Sequence, residues 1–229
     1  MAQNKKQEDE VLLDVGQSVS NAEKFIHENQ KSLMVILVAF VVLVGGYFAY
    51  QNLYQQPREQ EAKEAIYHAQ MYFEQDSLRL AVNGDGQNMG FLDVADEYAG
   101  TKAGNLANYY AGISYLNMGQ YDNAIALLDE FDGDDAVFSV IAKGSIGDAF
   151  WELNQPEEAL GYYEKAVSGE DNNFVVPFYL KKAGMVAEEL GKYSKAEKYY
   201  SRIKSDFPDS REGSDIEKFI ARAEVGANK

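Results

Sequence analysis

AGISYLNMGQYDNAIALL at residues 111–128, IGDAFWELNQPEEALGYYEKA at 146–166 and AGMVAEELGKYSKAEKYYSRI at 183–203 are three versions of one pattern, and their alignment decides the fold. Gly112, Gly147 and Gly184 take the same place in each, as do Ala124, Ala159 and Ala196, and both series step by 35 and then 37 residues. A period of this length marks an array of supersecondary units, each unable to bury its apolar face alone. Within a unit, the glycine about eight places into the first helix lets the second helix approach closely, and the alanine of the second helix completes the contact. Gly119 and Gly191 stand where the first helix must stop, free to adopt the left-handed conformation that ends it. Asn154 replaces them in the middle unit and tolerates the same conformation, while Pro156 suits the first turn of the next helix.

These units resemble the tetratricopeptide repeat (TPR), a helix-turn-helix motif of about 34 residues. The pattern is met by Gly112, Tyr115, Gly119, Tyr121 and Ala124, then by Gly147, Phe150, Ala159, Tyr163 and Ala166, then by Gly184, Gly191, Tyr193, Ala196, Tyr200 and Pro208. It is departed from at Asn108, Lys143 and Leu180, where the motif has Trp, and at Phe131 and Ile203, where a small residue is usual. The expected units run over about 105–138, 140–173 and 177–210.

Working outward, EQEAKEAIYHAQMYFEQDSLRLAV (59–82) reads as one long helix, NGDGQNMG (83–90) as a break and FLDVADEYAGT (91–101) as a short second helix, together a degenerate first unit over 59–101. At the other end Ser214 and Glu217 have capping-box spacing before the apolar stripe of Ile216, Phe219, Ile220 and Ala223. That places a capping helix over 214–225. The fold expected is all-α: a single transmembrane helix, then a TPR-type α-solenoid of helix pairs over 59–229 closed by the capping helix.

The transmembrane expectation rests on LMVILVAFVVLVGGYFAY (33–50), eighteen apolar or aromatic residues without a charge. As a helix this run spans about 27 Å, close to the thickness of a bilayer's hydrocarbon core. A soluble core helix would keep a polar stripe, and none is present. A cleaved signal fits badly, because 32 mostly polar residues precede the run and Tyr47 stands two places before Ala49, the best cleavage candidate. Tyr47, Tyr50 and Tyr54 suit a head-group zone. The reading is therefore a tail over 1–32, a span over 33–50 and a linker over 51–58. Lys24 and Lys31 before the span nearly balance Arg58 and Lys63 after it, and Lys5 and Lys6 tilt the count toward a cytoplasmic N-terminus. Gly45 and Ala49 form a small-xxx-small pair that would admit a second transmembrane helix.

The net charge of −16 is uneven: residues 51–177 carry 22 Asp and Glu against 6 Lys and Arg, while residues 178–229 carry 9 against 11. So acidic a middle repels nucleic acid and anionic lipid, and nucleic acid is not an expected partner. The chain has no cysteine, which removes disulfides, thiol catalysis and a lipid-bearing N-terminal cysteine. His27 and His68 have no metal-ligand partner at helical spacing and no nucleophile motif beside them. DEFDGDD (129–135) and NGDGQN (83–88) fail as EF-hand loops at the first ligand position. No enzymatic activity, cofactor, metal or small-molecule substrate is expected.

In TPR arrays the first helices of successive units line a concave groove. The resemblance carries that role to Leu106, Tyr109, Ile113 and Leu116, to Ile141, Gly144, Asp148 and Trp151, and to Phe178, Lys181, Met185 and Glu188. Two readings stand: an open protein-binding groove anchored by Trp151 and Tyr109, or side chains that fill the interior. The paired Lys and Asn residues of a carboxylate clamp are absent from these places. The whole architecture resembles the bacterial YfgM-like family of membrane-anchored TPR proteins ancillary to the Sec translocon. That resemblance implies the cytoplasmic (inner) membrane, an N-terminus in the cytoplasm and a C-terminal domain in the periplasm. It also implies protein partners among Sec translocon subunits, periplasmic chaperones and exported clients. The alternative is an envelope-assembly or cell-division scaffold of the periplasmic TPR type.

Overall fold

The structure, a computed structural model, describes residues 24–133 and 135–228. Lys5, Lys6, most of the expected tail, Asp134 and Lys229 lie outside the described residues. The chain forms two units, residues 1–57 and 58–229, and among the described residues all regular structure is helical.

In the first unit, helix α1 (Gln30–Tyr50) contains the apolar run, and none of its residues is buried. Val35, Leu43 and Tyr47 are all exposed. Among the described residues its stretch is the one long and apolar enough to cross a membrane. A π-helical segment (Gln51–Gln55) follows, in which Asn52 Nδ2 donates to the Phe48 carbonyl at 3.0 Å and the Tyr50 and Tyr54 rings stack at 5.4 Å.

The second unit is a chain of helix pairs: α2 (Gln56–Glu74, entering this unit at Arg58), α3 (Leu78–Asn83), α4 (Phe91–Glu97), α5 (Lys102–Asn117), α6 (Tyr121–Glu130), α7 (Ala136–Glu152), α8 (Pro156–Val167), α9 (Val175–Glu189), α10 (Tyr193–Asp206) and α11 (Ile216–Ala227). From α4 onward each helix packs on the next, and the first helices of successive pairs also touch, α5 on α7 and α7 on α9. This nearest-neighbour pattern is what defines a solenoid.

The glycine positions explain the pairing. A Cβ added at Gly112 would lie 2.6 Å from the Leu128 side chain, at Gly147 2.7 Å from the Tyr163 ring, and at Gly184 2.2 Å from the Tyr200 ring. A bulky residue sixteen places on therefore rests directly on the glycine backbone in each pair. Ala124, Ala159 and Ala196 are fully buried at the same contacts.

The turns repeat as well. Gly119, Asn154 and Gly191 all have positive φ, between 58° and 73°. In each turn the next residue's N–H reaches back five places: Gln120 to Tyr115, Gln155 to Phe150 and Lys192 to Ala187, at 2.7–2.9 Å. These Schellman bonds satisfy carbonyls that a helix end leaves open.

Two local expectations change. The helix over 59–82 is broken: Asp76 takes φ 57° and the Ser77 N–H bonds to the Tyr72 carbonyl at 2.8 Å, the same stop signal without a glycine. The capping box at Ser214 does not form, because Ser214 Oγ donates to the Arg211 carbonyl at 2.8 Å and Glu217 pairs with Lys204 at 2.9 Å. The chain enters α11 through a 3-10 turn, Gly213–Asp215. Helix α11 nonetheless buries Ile216 and Ala223, and the Phe219 ring lies 5.4 Å from that of Tyr200.

Ala159→Trp should lower unfolding free energy by about 3 kcal/mol or more, since the buried contact has no room for an indole. Gly161→Ala, on the same helix with nothing within 4 Å of the added methyl, should leave stability equal or raise it by about 0.5–1 kcal/mol. Urea unfolding of both variants checks the pair.

Candidate functional site

A concavity of the second unit, about 950 Å³, is built by α7 and α9, the end of α5, the start of α6, Tyr163 of α8 and the segment 211–215. Leu116, Asp148, Trp151, Phe178, Lys181 and Met185 of the sequence-derived groove line it together. Trp151, Phe178 and Met185 are 41%, 42% and 50% exposed, a strip of large apolar side chains facing open space. They share one face because 178, 181, 182 and 185 fall on one stripe of α9, while Trp151 closes the last turn of α7.

Leu106, Tyr109, Ile113 and Ile141 sit elsewhere. Tyr109 is only 7% exposed, and Leu106, Ile113 and Ile141 are partly buried against the cluster it forms with Leu128, Ala142 and Ile146. The Tyr109 ring lies 5.0 Å from that of Phe138 and 5.2 Å from that of Phe131. Burial pushes its hydroxyl up to about 12. At Gly144 the missing side chain is replaced by the Tyr179 ring, 2.1 Å from where a Cβ would stand. Aromatic rings therefore fill the N-terminal half of the expected groove, and the C-terminal half stays open.

Asp148 is the polar centre of the open half. Lys182 Nζ donates to both its carboxylate oxygens at 2.7 and 2.8 Å, and the Tyr163 hydroxyl donates to Oδ1 at 2.6 Å. One side chain thus ties α7 to α8 and to α9. Burial raises the Tyr163 hydroxyl far above its ordinary value, and the Asp148 charge adds to it, so the hydroxyl stays a donor. Lys182 Nζ also lies 4.6 Å from the Phe178 ring centroid, which holds that ring in place from one side. At the far rim Lys181 pairs with Asp215 at 3.0 Å, and Lys218 pairs with the same carboxylate at 2.5 Å. The hydrogen bonds from Lys218 and then Lys181 hold the Asp215 carboxyl below the usual range.

Lys182, Glu152, Arg211 and Asp215 escaped the sequence reading. The first lies one place beyond Lys181 and follows Phe178 by four, a spacing that was legible. Arg211 and Asp215 arrive from the segment after α10, a tertiary approach with no local signal.

The tempting acidic clusters have structural employment. Asp85 accepts from the Gln87 and Asn88 N–H groups, from Asn88 Nδ2 and, at 2.6 Å, from the Tyr72 hydroxyl. These bonds, that of Tyr72 first, hold its carboxyl far below the ordinary range. Asp135 caps α7 by accepting from Val137 and Phe138 N–H. His68 is exposed, edge-on to Tyr67. Among the described residues no group of His, Cys, Asp and Glu is placed to hold a metal ion. In the first unit Gly45 has nothing within 4 Å and α1 buries none of its residues, so the Gly45 and Ala49 positions are unobstructed.

The tetratricopeptide repeat family model matches residues 109–174 and 146–211. No curated protein matches the chain. Among solved structures, the chain is similar to a candidate kinesin light chain of Podosopora anserina with nearly identical TPR-like repeats, and to a single-substitution variant of it. Each has a TM-score of 0.53 at 13% identity over 74% of this chain and 88% of the other. At that identity the likeness concerns the fold.

Asp148→Asn should cost about 1 kcal/mol in urea unfolding, because the half-exposed Lys182 loses its counter-charge while the Tyr163 bond survives. An unchanged midpoint would mean that solvent already screens the pair.

Proposed function

We propose that this chain, whose helix pairs over residues 109–211 are tetratricopeptide repeats, is a membrane-anchored scaffold that holds protein partners in the groove beside Trp151. The repeats make it a protein-interaction scaffold in kind. The observation that carries the groove assignment is the exposed strip of Trp151, Phe178 and Met185 in a concave wall. Large apolar side chains, tryptophan above all, supply most of the energy of protein interfaces when a partner seals them from water.

The anchor is α1, with its N-terminus in the cytoplasm and the repeats in the periplasm of a bacterial inner membrane. Its support is the length of the uncharged run, the aromatic residues at its C-terminal end and the four lysines of the short N-terminal tail. The anchor holds the repeats at the Sec translocon, where they connect channel subunits with periplasmic chaperones or exported clients. This last step rests on the likeness to YfgM-like proteins. Gly45 and Ala49 are the places where a channel helix would approach, and Leu116, Asp148, Trp151, Phe178, Lys181 and Met185 form the groove. Leu106, Tyr109, Ile113 and Ile141 belong to the apolar cluster that fills the N-terminal half.

A photo-crosslinker at Gly45 should capture channel subunits in cells that are actively exporting, and one at Met185 should capture chaperone or exported chain. Capture of envelope-assembly components without channel subunits would favour the assembly-scaffold alternative and remove the translocon reading. Trp151→Ala should reduce the Met185 crosslinks by about tenfold without moving the unfolding midpoint. Full capture by that variant would show that the groove wall is not used.

A further inference from the structure

The groove has an electrically one-sided edge. Glu152 is the last residue of α7 and Glu189 the last of α9, and both are exposed and line the concavity beside Trp151 and Met185. Among the described residues neither takes part in an ion pair; Glu152 accepts only from the Tyr121 hydroxyl, at 3.4 Å. The negative ends of the α7 and α9 helix dipoles lie at the same edge. The lysines of the groove do not offset it, since Lys181 is held by Asp215 and Lys182 by Asp148. Arg211 is the lining cation without an ion pair among the described residues, and it lies in the segment after α10, next to Glu212.

We infer that the groove takes a basic, apolar polypeptide segment. Its aliphatic or aromatic side chains seat against Trp151, Phe178 and Met185, and its Lys or Arg residues meet Glu152 and Glu189. This assignment rests on the groove reading above and names the chemistry of its occupant. The chain as a whole supports the same sign. With a net charge of −16, its field draws basic segments to the groove and turns acidic ones away. The exposed Phe174, 87% accessible, caps the start of α9 four places before Phe178 and extends the apolar track beyond the concavity, so the segment is longer than a single anchor residue.

The test uses the full chain in vesicles of zwitterionic phosphatidylcholine, so that charge on a probe is not read by the lipid. Trp151 is the only tryptophan of the chain, and its fluorescence reports the groove alone. Three tryptophan-free peptides share one core of Leu, Phe and Ala and carry paired Lys, Gln or Glu at each end. The Lys-flanked peptide should bind about tenfold tighter than the Glu-flanked one at low salt, with the Gln-flanked one between. The advantage should shrink toward parity at about 0.5 M salt. Combining Glu152→Gln with Glu189→Gln should bring the Lys-to-Gln affinity ratio to within about twofold. Equal binding of all three peptides, or a Lys advantage that survives the double substitution, would overturn the inference and leave the groove reading standing. No fluorescence response to any of the three would overturn both.

Discussion

The fold depends on how closely the two helices of a pair can approach. At Gly112, Gly147 and Gly184 the backbone of the first helix is bare, and Leu128, Tyr163 and Tyr200 press against it. A side chain at any of these places would hold the helices apart, since each added Cβ would fall 2.2–2.7 Å from its neighbour. Because one geometry recurs, the pairs stack in register, and the first helices come to lie side by side as one wall. The Schellman turns at Gly119, Asn154 and Gly191 fix the angle at which each second helix returns.

That wall is filled at one end and open at the other for an identifiable reason. In the N-terminal half, Phe131 and Phe138 fold over Tyr109, and the bare backbone at Gly144 draws the Tyr179 ring inward. In the C-terminal half Trp151 and Met185 stay exposed beside Phe178. Asp148 occupies the middle and spends its oxygens on Tyr163 and Lys182. A carboxylate so engaged braces three helices and is not free to grip a ligand. The binding capacity that remains is apolar surface with an acidic edge.

Much of this was legible in the sequence, though unevenly. The period of Gly112, Gly147 and Gly184 specified the array because a close helix contact permits few residue types, and the apolar run of α1 stood out for its missing polar stripe. Groove positions were readable as positions on a helix face, yet whether a side chain there is covered depends on partners far along the chain. Phe138 covering Tyr109 and Tyr179 entering at Gly144 are contacts between successive helix pairs, which no local pattern encodes. The break at Asp76 was hidden because an aspartate took the left-handed turn that glycine takes elsewhere. Ser214 had the right spacing for a cap, but its hydroxyl found the Arg211 carbonyl one turn back.

The central claim is that the wall around Trp151 stands open to solvent. Acrylamide quenching of Trp151 fluorescence measures that directly, since no other tryptophan contributes. The structure predicts a solvent-shifted emission and efficient quenching in the free chain. A blue-shifted emission that resists acrylamide would contradict it, showing that the groove is closed by the chain itself.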